Sequence, residues 1–242
     1  MNIVVVGAHP DDPESGCGGL AVRAVEDGHR VIFLYLSSGV PGRLVCGRPE
    51  DELREEEARK ACSVIGAEPH FMRFPTSDIP FNLASLERVS DFMRDVDADL
   101  VLAHWPVDTH PDHQAAGVLV TQAVVGNPDV ALAYYEVVTG VQTIGFEPNR
   151  FVDISSVASL KRKAVGCHMS QNVGSWWHYH DIMERLRGAQ MGVERAEGYY
   201  LVVATPKAES LFSARRFLEP SGSRTLRRAK HERVPLSPHR TG

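Results

Sequence analysis

Residues 1–19 read MNIVVVGAHPDDPESGCGG and combine a short apolar run with a cluster of titratable side chains. Residues 3–6 are β-branched or apolar and are followed by Gly7, which predicts a short buried strand. The polar side chains that come directly after it are those of His9, Asp11, Asp12 and Glu14. In an open α/β sheet, ligands bind beyond the carboxyl ends of the strands, where the strand order reverses. A histidine beside two adjacent carboxylates at that place indicates a metal ion and a base.

A second cluster, DTHPDH at residues 108–113, follows another apolar run, DLVLAH at 99–104. Hydrolytic zinc sites have three protein ligands, drawn from histidine and carboxylate, and an open position for water. His9 and Asp12, three residues apart on a tight turn, can both point at one ion, and His113 can supply the third ligand. The two clusters therefore predict one metal site.

The remaining residues of the clusters have the chemistry of a metal-dependent hydrolase. Asp11 stands beside the predicted ion without binding it and suits a general base that takes a proton from the metal-bound water. His110 suits a group that stabilises the oxyanion or protonates the leaving group, and Asp112 suits a carboxylate that orients His110.

Each of these residues also has a purely structural interpretation. The carboxylates after the first strand can complement the dipole of the next helix, and Asp112 can cap the helix that carries His113. His9 can be a hydrogen-bonded loop histidine. Two His/Asp clusters, each directly after an apolar strand, favour the metal site over these separate explanations.

The rest of the chain alternates apolar runs with helical patterns, which predicts an α/β fold with a doubly wound, mostly parallel sheet and helices on both faces. Glu50 to Ile65 is a helix whose apolar face ends at Gly66, and Asn82 caps a further helix. Residues 176–180, WWHYH, are predicted to lie in a loop or at a helix start. Their aromatic side chains suit a lid that stacks on a sugar, and equally part of the core or a subunit contact. The further strands are predicted at 31–36, 70–74, 99–104, 131–135, 151–154 and 199–203.

Composition indicates an ordinary globular protein of 242 residues, with 43% apolar and 24% charged residues. A net charge of -5 gives no basis for binding nucleic acid or an anionic membrane. The cysteines are scattered, no secretory signal precedes the first strand and no apolar run approaches the length of a membrane span, so we expect a cytoplasmic protein. We predict one domain at 1–218 and a flexible basic tail, rich in Pro, Ser and Arg, at 219–242.

The stretches AHPDDPESGCGG (8–19) and DTHPDH (108–113) resemble the LmbE-like, or PIG-L, superfamily of zinc-dependent de-N-acetylases. The resemblance continues through REEEARKACSVIGAE (54–68) and the segments 151–171 and 187–197. It implies a Rossmann-like fold and removal of acetyl groups from N-acetylglucosamine-type amines. One departure is Pro13, where many members carry an aliphatic residue; proline suits the first turn of a helix.

The resemblance carries over to individual positions. It implies that His9, Asp12 and His113 bind zinc, that Asp11 is the base, and that His110 acts with support from Asp112. Arg54 matches an arginine that holds sugar hydroxyls, with an exposed helical arginine paired to a glutamate as its structural alternative. We place Glu14 with Arg54 on the substrate side of the site.

The predicted function is a hydrolase with one zinc ion per chain that removes an N-acetyl group from a small N-acetylglucosamine conjugate. Fe²⁺, Co²⁺ and Ni²⁺ fit the same ligand types. The oligomeric state stays open, a homo-oligomer included. One alternative is a deacylase of another acylated amine, and another is a metal-binding module without activity. A nucleotide-binding module is disfavoured because GCGG at 16–19 lacks the GxGxxG spacing.

Overall fold

The structure, a computed structural model, describes residues 1–213, in which strands and helices mostly alternate. The predicted boundary at residue 218 and the predicted tail at 219–242 lie outside the described residues. The strands are β1 (Asn2–Gly7), β2 (Arg30–Ser37), β3 (Leu44–Val45), β4 (Arg48–Pro49), β5 (Glu68–Phe74), β6 (Leu100–His104), β7 (Ala131–Tyr135), β8 (Arg150–Asp153) and β9 (Ala196–Val203). The helices are α1 (Asp12–Glu26), α2 (Glu50–Ile65), α3 (Leu83–Asp95), α4 (Pro111–Val124), α5 (Ala158–Val165), α6 (Trp177–Met191) and α7 (Pro206–Ser213).

One sheet of seven strands, in the order β5-β2-β1-β6-β7-β9-β8, forms the centre of the molecule. β1 pairs in parallel with β2 and β6, and the pairs β2–β5 and β6–β7 are also parallel. Only β9 runs antiparallel to its neighbours β7 and β8 within this sheet. The predicted α/β class with a mostly parallel sheet is confirmed.

The sheet buries apolar side chains on both faces, as the pleat of β1 shows. Ile3 and Val5 pack in a cluster with α1, α2 and α5, whereas Val4 and Val6 pack in a second cluster with α3 and α4. Successive side chains of a strand point to opposite faces, so a strand covered on both faces must be apolar throughout. This explains why β1 has no alternating polar residues.

The observed elements differ from the predicted ones mainly at helix ends. The sequence predicts a helix from about residue 16 to residue 27, whereas α1 begins at Asp12, with Pro13 in its first turn, where the missing N–H costs nothing. Asn82 caps α3 as predicted, its side chain accepting from the Ser85 N–H at 3.0 Å. The segment at 176–180 is a helix start, because α6 begins at Trp177.

Within residues 1–213, none of the helices combines the length and the apolar character needed to cross a membrane.

Candidate active site

The two sequence clusters meet where the strand order reverses. In the strand order, β2 and β5 lie on one side of β1. The chain then returns to form β6 on the other side of β1. The connections that leave β1 and β6 therefore diverge and leave a crevice between them, the usual ligand site of such a sheet. His9 and Asp12 lie in the connection after β1 and the first turn of α1, and His113 lies in the first turn of α4.

His9, Asp12 and His113 converge in this crevice and are all buried. His9 Nδ1 is 3.4 Å from Asp12 Oδ2, and His113 Nε2 is 3.5 Å from Asp12 Oδ1. Ligand atoms about 2.1 Å from a tetrahedral ion stand about 3.4 Å apart, so the three side chains are spaced for a divalent cation such as zinc.

Each of the two histidines has a carboxylate on its other ring nitrogen. His9 Nε2 lies 2.9 Å from Asp112 Oδ2, and His113 Nδ1 lies 3.2 Å from Asp108 Oδ1. An imidazole that gives one N–H to a carboxylate offers its other nitrogen to a metal, with its tautomer and orientation fixed. The donor set therefore fits a metal ion, with Asp112 and Asp108 as supports.

Asp112 is close enough to His9 to form a second group with His110 that could hold a metal. The 2.9 Å separation of Asp112 and His9 is that of a hydrogen bond and is shorter than the spacing of two ligands on one ion. Burial opposes a charge on His9, but hydrogen bonds to Asp112 and Asp12 raise its pKa to about 9. Asp112 thus acts as the hydrogen-bond partner of His9.

Asp11 precedes α1 with a φ of 121°, in the left-handed region that favours glycine. Its side chain stands at the N-cap position of the helix but makes no capping hydrogen bond to it. The carboxylate lines the cavity beside the metal-ligand group, and its side chain is 17% exposed. Strained backbone of this kind is found where a side chain must be held for function.

Arg54 on α2 secures the turn that carries Asp11. Its Nη2 donates to the Pro10 carbonyl at 2.7 Å and lies 3.4 Å from Asp11 Oδ1. Burial raises the pKa of Asp11 to about 6, and the charge of Arg54 opposes that rise. Arg54 lines the cavity and is buried, so it is not the exposed helical arginine of the structural alternative.

His110 caps α4 through its ring. The ring Nδ1 accepts from the Asp112 backbone N–H at 3.1 Å, and the backbone N–H of His110 donates to Asp108 Oδ1 at 2.8 Å. The sequence analysis assigned the Asp112 carboxylate to His110, but the structure places that carboxylate on His9 and supports His110 through the Asp112 backbone. The difference arises because Asp112 lies in the first turn of α4, where its carboxylate faces the connection after β1 and reaches His9.

Glu14 does not line the cavity that contains Asp11 and Arg54. It is fully buried in α1, accepts from the Tyr35 hydroxyl at 2.6 Å and lies 3.0 Å from His168 Nε2. Glu14 was predicted on the substrate side of the site together with Arg54, but only Arg54 lines the cavity. Glu14 instead belongs to a group of buried polar side chains with Tyr35 and His168.

The metal-ligand group opens into a cavity of about 440 Å³, which is within the usual range for small-molecule sites. Its walls come from the loop after β2, from α2, from the segment that follows β7 and from the start of α6. The region at the start of α6 contributes Trp176, which precedes the helix, and Tyr179 and His180 within it, and Gln171 lies upstream.

The sequence analysis missed three residues of the site. Asp108 stood in the second cluster without a role, His104 ends an apolar strand, and His180 was treated only as part of an aromatic segment. His104 Nε2 accepts from the Ala8 N–H at 3.0 Å and lies 3.2 Å from Asp12 Oδ2; burial lowers the pKa of this histidine to about 4. For His104 the available signal was its position at the end of an apolar strand, at the edge of the sheet where the strand order reverses.

Comparison with known proteins finds deacetylases among the relatives of this chain. The chain is 29% identical over 222 residues to a diacetylchitobiose deacetylase of Thermococcus kodakarensis, covering 83% of this chain and 82% of the relative. It is 27% identical over 209 residues to a 4-oxalmesaconate hydratase of Pseudomonas putida, covering 77% and 80%. The structure superposes on an N,N'-diacetylchitobiose deacetylase from Pyrococcus horikoshii with a TM-score of 0.74 at 22% identity, covering 84% of each chain.

The sequence model of the PIG-L family, described as GlcNAc-PI de-N-acetylase, matches residues 4–124. This range contains both sequence clusters and the connections that form the crevice. The chain therefore belongs to the PIG-L, or LmbE-like, family.

Proposed function

We propose that this protein is a zinc-dependent N-deacetylase that hydrolyses the acetamide of a small N-acetylglucosamine-type sugar in the cytoplasm. The observation that carries the proposal is the position of Asp11. Its carboxylate stands on a strained turn between the predicted metal ligands His9 and Asp12, faces the cavity, and is held by Arg54 rather than by the helix. The deacetylase relative supports the same reaction.

The proposed reaction adds water across an amide and releases acetate and an amine. A divalent cation bound by His9, Asp12 and His113 would lower the pKa of water and polarise the acetyl carbonyl. Asp11 removes a proton from the attacking water as its oxygen bonds to the carbonyl carbon, and this proton is the one that the leaving nitrogen gains when the C–N bond breaks. A pKa of about 6 suits a base that works near neutral pH.

His110 is placed to stabilise the oxyanion as a neutral donor. Burial, together with the charges of His9 and His113, lowers its pKa, which favours the neutral ring. Because Nδ1 accepts from a backbone N–H, the ring proton of the neutral form sits on Nε2. Of the two roles predicted for His110, this arrangement favours hydrogen bonding to the developing oxyanion.

The hydratase relative shows that family membership alone does not select the reaction. A substrate with several carboxylates would need several free cationic groups, and each of the two arginines that line the cavity already contacts a carboxylate of the protein. Arg43 pairs with Glu50, and Arg54 lies 3.4 Å from Asp11 and donates to the Pro10 carbonyl. An uncharged acetamide matches this cavity better than a polycarboxylate does.

The test combines metal analysis with an assay of amine release. Purified protein would be analysed for zinc and incubated with N-acetylglucosamine conjugates, including diacetylchitobiose, with and without a chelator. We expect about one zinc per chain and chelator-sensitive release of amine and acetate. Metal without release from any acetylated sugar would reject the substrate class, and failure to bind metal after reconstitution would reject the whole proposal.

Asp11→Asn should keep the metal and the fold but lose roughly 10²- to 10⁴-fold in kcat, because the amide cannot accept the proton. Asp95→Asn, an exposed substitution at the end of α3, serves as the matched control and should leave kcat unchanged. Full activity of Asp11→Asn on a confirmed substrate would show that another group is the base.

A further inference from the structure

His180 is a buried histidine whose hydrogen-bonding capacity the protein does not use. It lies in the first turn of α6, is 0% exposed and lines the same cavity as Asp11 and His113. Among residues 1–213, neither of its ring nitrogens has a hydrogen-bond partner. Buried polar groups in folded proteins are nearly always paired, so a pair of unpaired nitrogens at a cavity wall calls for a partner from the cavity side.

The surroundings of His180 are aromatic. The ring of Trp176 stands edge-on at 5.5 Å between centroids, and the ring of Trp177 stacks at 6.0 Å. Trp176 is half-buried and lines the cavity, and its Nε1 donates to the Gln171 carbonyl at 3.0 Å, which fixes the indole. This part of the cavity wall therefore consists of the indole ring of Trp176 and the imidazole ring of His180, which packs against it.

The charge state of His180 limits the groups it can recognise. Burial, and secondly the charge of Lys161, lowers its pKa to about 3, although Asp12 acts in the opposite direction. A neutral imidazole has one N–H donor and one nitrogen acceptor. This combination matches a hydroxyl group, which both donates and accepts, better than it matches a carboxylate or an ammonium.

We propose that His180 and Trp176 form a subsite that binds the hydroxylated ring of the amino sugar, with His180 hydrogen-bonded to a ring hydroxyl and Trp176 packed against the ring. This inference rests on the proposed function and specifies how that substrate is selected. His180 is thus a specificity residue that holds the sugar while Asp11 and His110 act on the acetamide. The aromatic segment at 176–180 therefore has two roles: Trp176 and His180 line the cavity, whereas Trp177 is buried in the core.

The test uses two substrates that share a six-membered ring and an acetamide but differ in hydroxyl groups. Diacetylchitobiose carries the hydroxyls, and N-cyclohexylacetamide has none. In the zinc-loaded enzyme, His180→Leu should lower kcat/KM for diacetylchitobiose about fivefold, the loss that corresponds to a hydrogen bond of about 1 kcal/mol. For N-cyclohexylacetamide, kcat/KM should stay within about twofold of wild type.

Two further variants complete the design. His180→Gln keeps a donor and an acceptor and should recover most of the activity on diacetylchitobiose. His70→Leu, which changes a half-buried histidine on β5 outside the cavity, should match wild type on both substrates.

A measurement that needs no change at His180 keeps the inference testable if His180→Leu fails to fold. In zinc-loaded Asp11→Asn protein, diacetylchitobiose should shift the ¹⁵N NMR signals of the His180 imidazole, and N-cyclohexylacetamide should leave them in place. Absence of the sugar-dependent shift would overturn the inference.

The kinetic outcomes separate the inference from the proposed function. Equal loss on both substrates would show that His180 supports the fold or the reacting centre, and no loss on either would show that it contacts no substrate; both results overturn the inference alone. A wild-type enzyme that neither binds nor hydrolyses any acetylated sugar would overturn the proposed function and the inference together.

Discussion

Asp112 illustrates how much of the site depends on residues that touch no substrate. Its carboxylate lies 2.9 Å from His9 Nε2 and accepts from the Ser77 N–H at 2.7 Å, while its backbone N–H reaches His110. One residue therefore orients a predicted metal ligand, the loop after β5 and the proposed oxyanion donor. Asp108 does the corresponding work for His113 and the His110 backbone.

Asp112→Asn should weaken zinc binding roughly 10- to 100-fold, as changes to the carboxylate behind a metal-bound histidine typically do. The amide is uncharged and accepts less strongly from the imidazole, so His9 becomes a poorer ligand. Zinc affinity would be measured by competition with a chelating dye, using Asp129→Asn, an exposed substitution after α4, as the control. Affinity equal to wild type in Asp112→Asn would remove Asp112 from the metal site.

The sequence identified which residues meet but not how they divide their contacts. His9, Asp12 and His113 were predicted to converge, and they do, because each follows a strand at the same edge of the sheet. The partner of Asp112 could not be predicted in this way. A carboxylate in the first turn of α4 can reach several imidazoles, and the choice depends on side-chain directions fixed by packing.

At the scale of elements, the glycines of α1 are explained by packing. A methyl group added at Gly16 would lie 2.4 Å from the Tyr135 ring, and one at Gly19 would lie 2.3 Å from Ile154. Gly18 meets the Lys161 side chain at 2.9 Å. The run GCGG therefore lets α1 lie close to β7, α5 and the segment before α5, and it has no role as a nucleotide-binding loop.

Gly19→Ala should destabilise the protein by about 1–3 kcal/mol, the usual cost of overpacking a core, although alanine is the better helix former. The methyl group must displace Ile154, whose branched side chain is fully buried. Urea unfolding would measure the free-energy change. Gly126→Ala, where an added methyl group meets nothing within 4 Å, provides the control and should change stability by less than about 0.5 kcal/mol. Equal stabilities for the two variants would contradict this account.

For α6 the sequence indicated no more than a loop or a helix start at residues 176–180, and the burial pattern of the helix explains why. The buried positions recur at helical spacing, but only some are apolar. Glu184 pairs with Lys161, and Arg187 pairs with Glu136, so charged residues occupy the face that points inward. Patterns of hydrophobicity find helices such as α3, whose inward positions include Val89 and Met93, and overlook a helix that buries ion pairs.

For the whole molecule, a buried charge cluster joins elements that are distant in sequence. Lys161 Nζ on α5 lies 2.9 Å from Glu184 on α6 and 2.8 Å from Glu197 on β9. Glu197 also accepts from the backbone N–H groups of Gly19 and Leu20, at 2.8 and 2.7 Å. The cluster thereby ties the antiparallel edge of the sheet and α6, which supplies His180, to α1, which supplies Asp12. Burial opposes the charge on Lys161, but the two carboxylates raise its pKa above the usual value.

Lys161→Met should lower the free energy of unfolding by about 3 kcal/mol or more, because two buried carboxylates lose their shared counter-charge. The double variant Lys161→Met/Glu197→Gln should recover part of this loss, since it also removes the charge of Glu197, whereas Glu184 keeps its ion pair with Arg195 at 2.9 Å. Chemical denaturation of the metal-free proteins would measure both values. Lys60→Met removes an exposed lysine from its pair with Glu56 and should cost less than about 1 kcal/mol. If Lys161→Met were no more costly than Lys60→Met, the cluster would not hold the edge of the sheet to α1, and the position of α6 would have to depend on its other contacts, such as the Arg187–Glu136 pair.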